Sequence, residues 1–147
     1  MTDLIENMKV LLANVFAFRI KAQYYHWNIE GADFLQYHSY LGEVYQEADS
    51  SVDDIAEHIR ALGAYAPGGF RRYAELTTIV EDITIQPAAV MFQRLADDNK
   101  KVHDTLTKCV NLADKERQRG VINFLEGLID ANEKTQWKLN SLNKISK

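Results

Sequence analysis

The sequence predicts an all-α protein, a four-helix bundle with one long crossover that carries a short helix. Three observations predict it. Four segments repeat apolar residues at spacings of three and four, which is the period of one helix face. Only two prolines and seven glycines interrupt the chain, so long segments run unbroken. One connection, residues 63–85, is far longer than the other two.

The first segment, residues 3–29, places Leu4, Met8, Leu11, Val15, Phe18, Ala22 and Tyr25 on one face. Asp3 followed by Glu6 has the spacing of a capping box, with aspartate in place of serine or threonine. Glu30-Gly31-Ala32-Asp33 ends this helix. The second segment, 34–62, carries Phe34, Leu41, Tyr45, Ala48, Val52, Ile55, Ile59 and Leu62. Gly63 is its C-terminal stop, and Pro67-Gly68-Gly69 extends the break. In the crossover, residues 71–76 form a short helix. The β-branched run that follows, to Ile85, finds no partner strand elsewhere and is expected as structured coil. Pro87 opens the third long helix in its first turn, where a missing N–H costs nothing. That helix runs through Met91, Leu95, Val102, Leu106 and Cys109 to near Leu112. The last is expected over 114–143, through Ile122, Leu125, Ile129, Gln136, Leu139 and Leu142. Gly120 and Gly127 weaken it by about 1 kcal/mol each relative to alanine. Short turns make the first and last helix pairs antiparallel neighbours. The long connection spans the bundle and sets the third helix parallel to the second, which is ferritin-like connectivity. The whole chain, 1–147, reads as a single ferritin-like domain.

The 147 residues carry 17 Lys+Arg against 21 Asp+Glu, a formal net charge of −4. That balance excludes a protein that grips nucleic acid over its whole surface. A single cysteine excludes an intrachain disulfide, and its place on an apolar stripe makes Cys109 a buried structural thiol. No apolar run approaches the ~20 residues of a membrane span. Asp3 and Glu6 stand where a signal peptide would be basic, so the cytoplasm is the expected compartment.

Four histidines are present. His26 extends the stripe of the first helix, and His38 lies on that of the second, across a tight turn. On position alone the two read either as packed, hydrogen-bonded imidazoles or as ligands. Asp53 and Glu57 share a face of the second helix, among Val52, Ile55, Ala56 and Ile59. They read either as a solvated acidic edge or as buried acids that need a cation. His38 and Asp53 are fifteen residues apart, about 22 Å along a continuous helix. Metal–ligand bonds of about 2 Å cannot bridge that gap within one chain. Two chains can, when their second helices pack antiparallel about a two-fold axis. The residues three before each histidine are Gln23, Leu35, Ile55 and Lys100, so the Glu-x-x-His pattern of an internal di-iron bundle is absent. His58 and His103 are expected at the surface or behind ligands.

The stretch Tyr25-His26-Trp27-Asn28-Ile29-Glu30-Gly31-Ala32-Asp33-Phe34 with His38 following resembles the Dps family of mini-ferritins. So do residues 53–63 and the segment Asn132-Glu133-Lys134 with Trp137-Lys138-Leu139, and the similarity spans nearly the whole chain. The resemblance implies a hollow homododecamer that binds Fe(II) between two-fold related subunits, oxidises it with peroxide or oxygen and stores ferric mineral. It implies His26 and His38 of one subunit with Asp53 and Glu57 of the neighbour as iron ligands, and Trp27 beside the site. On position alone Trp27 reads equally as a core aromatic.

The sequence departs from the family pattern at two places. Gly42 stands where an aspartate is usual, and Asn132 where a histidine is. The first departure weakens the implied ferroxidase. It also opens a second reading, a Dps-like cage with a degenerate site acting as a DNA-associated or structural protein. A third is a plain helical interaction module. An aspartate introduced at position 42 is expected, from spacing, to point at the metal and tighten Fe(II) binding. Glu43 and Glu47 read either as an exposed face or as mineral-nucleating acids. DNA binding is expected to be weak, with a small basic cluster at Arg71-Arg72 and Lys144 and Lys147 near the C-terminus as its candidates.

Overall fold

The computed structural model describes residues 1–145, and these form five helices and no strand. They are α1 (Thr2–Asn28), α2 (Phe34–Ala61), α3 (Phe70–Leu76), α4 (Ala88–Lys115) and α5 (Arg119–Ile145). Side-chain pairings give the register. Along α1 and α2, Arg19 meets Asp49 and His26 meets His38, so the two run antiparallel. Along α1 and α4, Asn14 meets Thr105 and Lys21 meets Asp98, again antiparallel. Hence α4 runs parallel to α2, as the long connection requires. Gln93 with Asn143, Asn99 with Gln136 and His103 with Glu133 make α5 antiparallel to α4.

α1 is the central helix. All seven residues of its predicted stripe are buried, and Leu12 and Ala13 beside them are too. Each fully buried leucine or methionine contributes about 2 kcal/mol over an exposed one. α2 buries far less: Leu41, Ile55 and Ile59 are enclosed, but Tyr45, Ala48 and Val52 are only half-buried. The predicted α4 stripe is fully buried through Cys109. No helix among the described residues is long and apolar enough to cross a membrane.

Two expectations are corrected. α1 begins at Thr2 with Met1 as N-cap and no side-chain cap, so Asp3 and Glu6 form no capping box; Glu6 pairs instead with Lys9 at 3.1 Å. The last turn lies over 116–118, so α4 runs three residues further than expected and α5 starts at Arg119. At that turn the Gln118 amide donates to the Ala113 carbonyl and the Arg117 amide to that of Asp114. The end of α2 has the same two bonds, Ala64 to Ile59 and Gly63 to Arg60. There the left-handed residue is Gly63, at φ 96°; here it is Arg117, at φ 54°. An arginine in the left-handed region leaves no mark in the sequence. Gly120 then falls in the first turn of α5, not in its interior.

The β-branched run is coil, strapped to the bundle by polar groups from α1. The Asn14 side-chain oxygen accepts from Thr77 Oγ1 at 2.7 Å and the Thr78 amide at 2.8 Å. Lys21 Nζ donates to the Val80 carbonyl at 2.9 Å and pairs with Asp98 at 2.7 Å. Tyr25 Oη and Arg94 Nη1 both donate to Asp82 Oδ2 at 2.6 Å, and the Thr84 amide and hydroxyl donate to Oδ1. The Asp82 side chain is only 5% exposed. Burial pushes its carboxyl up, but the bonds from Thr84, Tyr25 and Arg94 outweigh that and hold it well below the usual carboxylate range.

Asp82→Asn keeps the shape and removes the charge, and should lower stability by about 2 kcal/mol at pH 7, since Arg94 stays partly solvated. A carboxyl whose pKa falls on folding stabilises above its unfolded pKa and loses that contribution as pH drops toward its folded value. Denaturant unfolding should therefore show the wild-type advantage intact at pH 5 and shrinking below about pH 4. A difference unchanged down to pH 2 would mean that the charge does not hold the strap.

Candidate metal centre

His26 lies in the last turn of α1 and His38 in the second turn of α2, on either side of the turn at 29–33. The two rings stack with centroids 3.8 Å apart and planes 13° from parallel. Their hydrogen bonds are reciprocal. His26 Nδ1 lies 2.6 Å from the His38 carbonyl, and His38 Nδ1 lies 2.7 Å from the His26 carbonyl. A carbonyl oxygen can only accept, so each Nδ1 carries the proton. With that proton on Nδ1, the neutral form of each ring keeps its lone pair on Nε2, the form that binds a metal. The His26 carbonyl is one of the terminal acceptors that a helix leaves without an internal partner.

Aromatic neighbours hold the pair. Phe34 stacks on His38 at 5.0 Å, and Tyr45 meets His26 edge-on at 5.3 Å. Gly42 lies against the other edge of His26. A Cβ at this position would stand 3.0 Å from His26 Cε1 and 3.3 Å from Nδ1. A side chain at position 42 would thus press on the edge of the imidazole.

Asp53 and Glu57 lie further along α2 on its outer face, while Ile55 and Ile59 turn inward. Both acids are exposed in the single chain, which corrects the alternative that they are buried. Neither pairs with a cation nor accepts a hydrogen bond among the described residues. No three His, Cys, Asp or Glu side chains of the described residues converge around one point. One chain therefore brings together His26 and His38 and keeps Asp53 and Glu57 apart from them. Two neutral imidazole nitrogens and two free carboxylates are a donor set that fits Fe(II) and similar divalent ions. Trp27 is 63% exposed, so it is not a core aromatic.

The remaining candidates have structural roles or lie at the surface. His58 stacks on Phe124 at 4.0 Å, and its Nδ1 donates to the Asp54 carbonyl. His103 Nε2 lies 3.0 Å from a Glu133 carboxylate oxygen. Asn132 is buried and clasps α4 to α5: its amide donates to Asn99 Oδ1 at 3.0 Å, and that of Asn99 donates to the Asn132 carbonyl at 3.1 Å. Burial pushes the Cys109 thiol up to about 12, which makes it inert. Glu43 and Glu47 are exposed. Arg72 is paired with Glu75 at 3.3 Å, Lys144 is exposed, and Lys147 lies outside the described residues. Sequence reasoning missed Gly42 as a packing partner of His26, and spacing alone gave no signal of it.

A family model described as the ferritin-like domain matches residues 5–147. A low temperature-induced protein of a Nostoc species is 31% identical over 88% of this chain and 74% of its own length. A DNA protection during starvation protein of Helicobacter pylori is 26% identical over 92% of this chain and 95% of its own. The Dps protein of Vibrio cholerae O1, described as a member of a broad superfamily of ferritin-like diiron-carboxylate proteins, superposes with a TM-score of 0.92 at 27% identity. That match covers 96% of this chain and 89% of the other.

The reciprocal bonds make a spectroscopic prediction. In the metal-free protein, nitrogen-15 spectra should place His26 and His38 both in the Nδ1–H tautomer, the rarer one in free histidine. Nε2–H signals from both rings would contradict the geometry.

Proposed function

The chain belongs to the Dps family of ferritin-like proteins, and on that basis we propose that it is a cytoplasmic mini-ferritin that oxidises and stores iron. One observation carries the reading. A single subunit offers two imidazoles with free Nε2 lone pairs at one end of α2, and two unpaired carboxylates about 22 Å further along it. Each half lacks what the other has. A symmetric pair of subunits completes two sites at once.

In this reading Fe(II) is the substrate. His26 and His38 of one subunit supply neutral nitrogen, and Asp53 and Glu57 of the partner subunit supply two negative charges that balance the ion. Each Fe(II) gives up one electron. A molecule of hydrogen peroxide takes two electrons and two protons and leaves as two waters, or dioxygen serves as the oxidant. The Fe(III) formed passes to the interior as mineral, with Glu43 and Glu47 as candidate nucleating acids.

The exposed apolar side chains support self-association, and the assembly in this reading is a homododecamer of single ferritin-like domains. Phe70 is 85% exposed and Ile83 80%, and Tyr65 and Val80 are exposed on the same crossover segment. Exposed apolar side chains on one segment are what a contact between subunits would cover. Gly42 favours one competing reading, a cage whose site has lost its chemistry and which serves as a DNA-associated or structural protein. The net charge of −4 and the pairing of Arg72 with Glu75 argue against tight DNA contact.

Light scattering should give a particle of about 200 kDa, twelve chains of 16.8 kDa. Monomers at micromolar concentration would sink both the cage and the shared site. His38→Ala and Glu57→Ala should each slow site-bound iron oxidation at least about tenfold, with helix content unchanged by circular dichroism. Unaltered oxidation in both would favour the degenerate cage. In a gel shift at physiological salt, duplex DNA should run free of the protein.

A further inference from the structure

We infer that Gly42 is a positioning residue of this site: its bare Cα is the seat of the His26 ring, and the subunit presents a divalent transition ion with two neutral imidazole nitrogens and no carboxylate. The inference deepens the iron-site reading and rests on it for the identity of the ion.

Three features of the geometry converge on this glycine. The His38 carbonyl lies inside α2, where the helix's own ladder already uses it. Helix side chains lean toward the N-terminus, so the side chain at i+4 covers the carbonyl of residue i. Residue 42 is the i+4 neighbour of His38. Without a side chain there, that carbonyl is open on the side from which His26 Nδ1 reaches it at 2.6 Å. The close approach follows: a Cβ would stand 3.0 Å from Cε1 and 3.3 Å from Nδ1 of His26.

A ring that retreats from position 42 gives up contacts that hold it. His38 lies flat on it at 3.8 Å, Tyr45 meets it at 5.3 Å, and its Nδ1 is held by the carbonyl. A few tenths of an ångström of retreat lengthens the hydrogen bond that fixes its tautomer. A side chain at 42 therefore disturbs the nitrogen that faces the metal, whatever that side chain carries. Aspartate shares the Cβ of alanine, so it meets the same ring. This reverses the expectation from spacing alone, in which an aspartate fills a vacant ligand position.

The test compares the assembled wild type with Gly42→Ala, Gly42→Asp and Gly127→Ala. Gly127 is the control for replacing a helical glycine, because a Cβ there meets nothing within 4 Å. The first measurement is on metal-free protein, by nitrogen-15 spectra of the histidines. Both substitutions at 42 should remove the pure Nδ1–H signature of His26, and Gly127→Ala should keep it. The second is a titration with Co(II), a redox-inert probe, followed by its visible bands. Gly42→Ala and Gly42→Asp should bind it about tenfold more weakly with shifted bands, and Gly127→Ala should match the wild type. Retention of the tautomer and of Co(II) affinity in Gly42→Ala overturns the inference, as does tighter binding by Gly42→Asp. A wild type that binds neither Co(II) nor Fe(II) sinks the iron-site reading instead, while the metal-free spectra still decide whether Gly42 seats the ring.

Discussion

The bundle depends on a buried ion pair. Lys21 of α1 and Asp98 of α4 meet at 2.7 Å with both side chains almost wholly enclosed, and the same ammonium donates to the Val80 carbonyl. Removing Asp98 would leave the enclosed Lys21 ammonium without a counter-charge, which costs about 3–5 kcal/mol. The pair therefore fixes the register of α4 on α1 and the route of the crossover between them. Asn14, two turns before Lys21 on α1, and Tyr25, one turn after it, extend the same constraint through Thr77, Thr78 and Asp82. At the end of the same helix His26 meets His38 of α2 across the turn at 29–33.

Much of the architecture was legible because it follows from periodicity. The stripe of α1 is buried at every position named, and the connection after Gly63 has the length that a parallel α4 needs. The straps were not legible. Asn14 and Lys21 read as interruptions of an apolar face, since nothing local shows that a distant loop will satisfy them. The boundary between α4 and α5 was misplaced for a similar reason. Gly63 and Arg117 close the same hydrogen-bond motif, but only the glycine announces it.

Spacing and residue type singled out the histidine pair and the acids as candidates, and helix geometry alone set them apart along α2; the structure brings the two histidines together. What spacing could not give is the third dimension. The reciprocal carbonyl bonds, the stacked rings and the contact with Gly42 arise from the approach of two helices, which no single-helix pattern encodes. The two readings weighed for the histidines are also not exclusive in the structure. The rings are packed and hydrogen-bonded through Nδ1, and that packing leaves Nε2 available. The acids likewise lie on the exposed edge of α2, where a neighbouring subunit can reach them.

The two tryptophans carry a last consequence. Trp27 and Trp137 are 63% and 66% exposed, and neither belongs to the packed interior. Indole emission responds to the water around the ring, so a folded single chain and an unfolded one differ little in colour. Dehydration of these rings requires another molecule to cover them. The intrinsic fluorescence of this protein is thus nearly blind to the folding of a subunit and reports the contacts that a subunit makes with others.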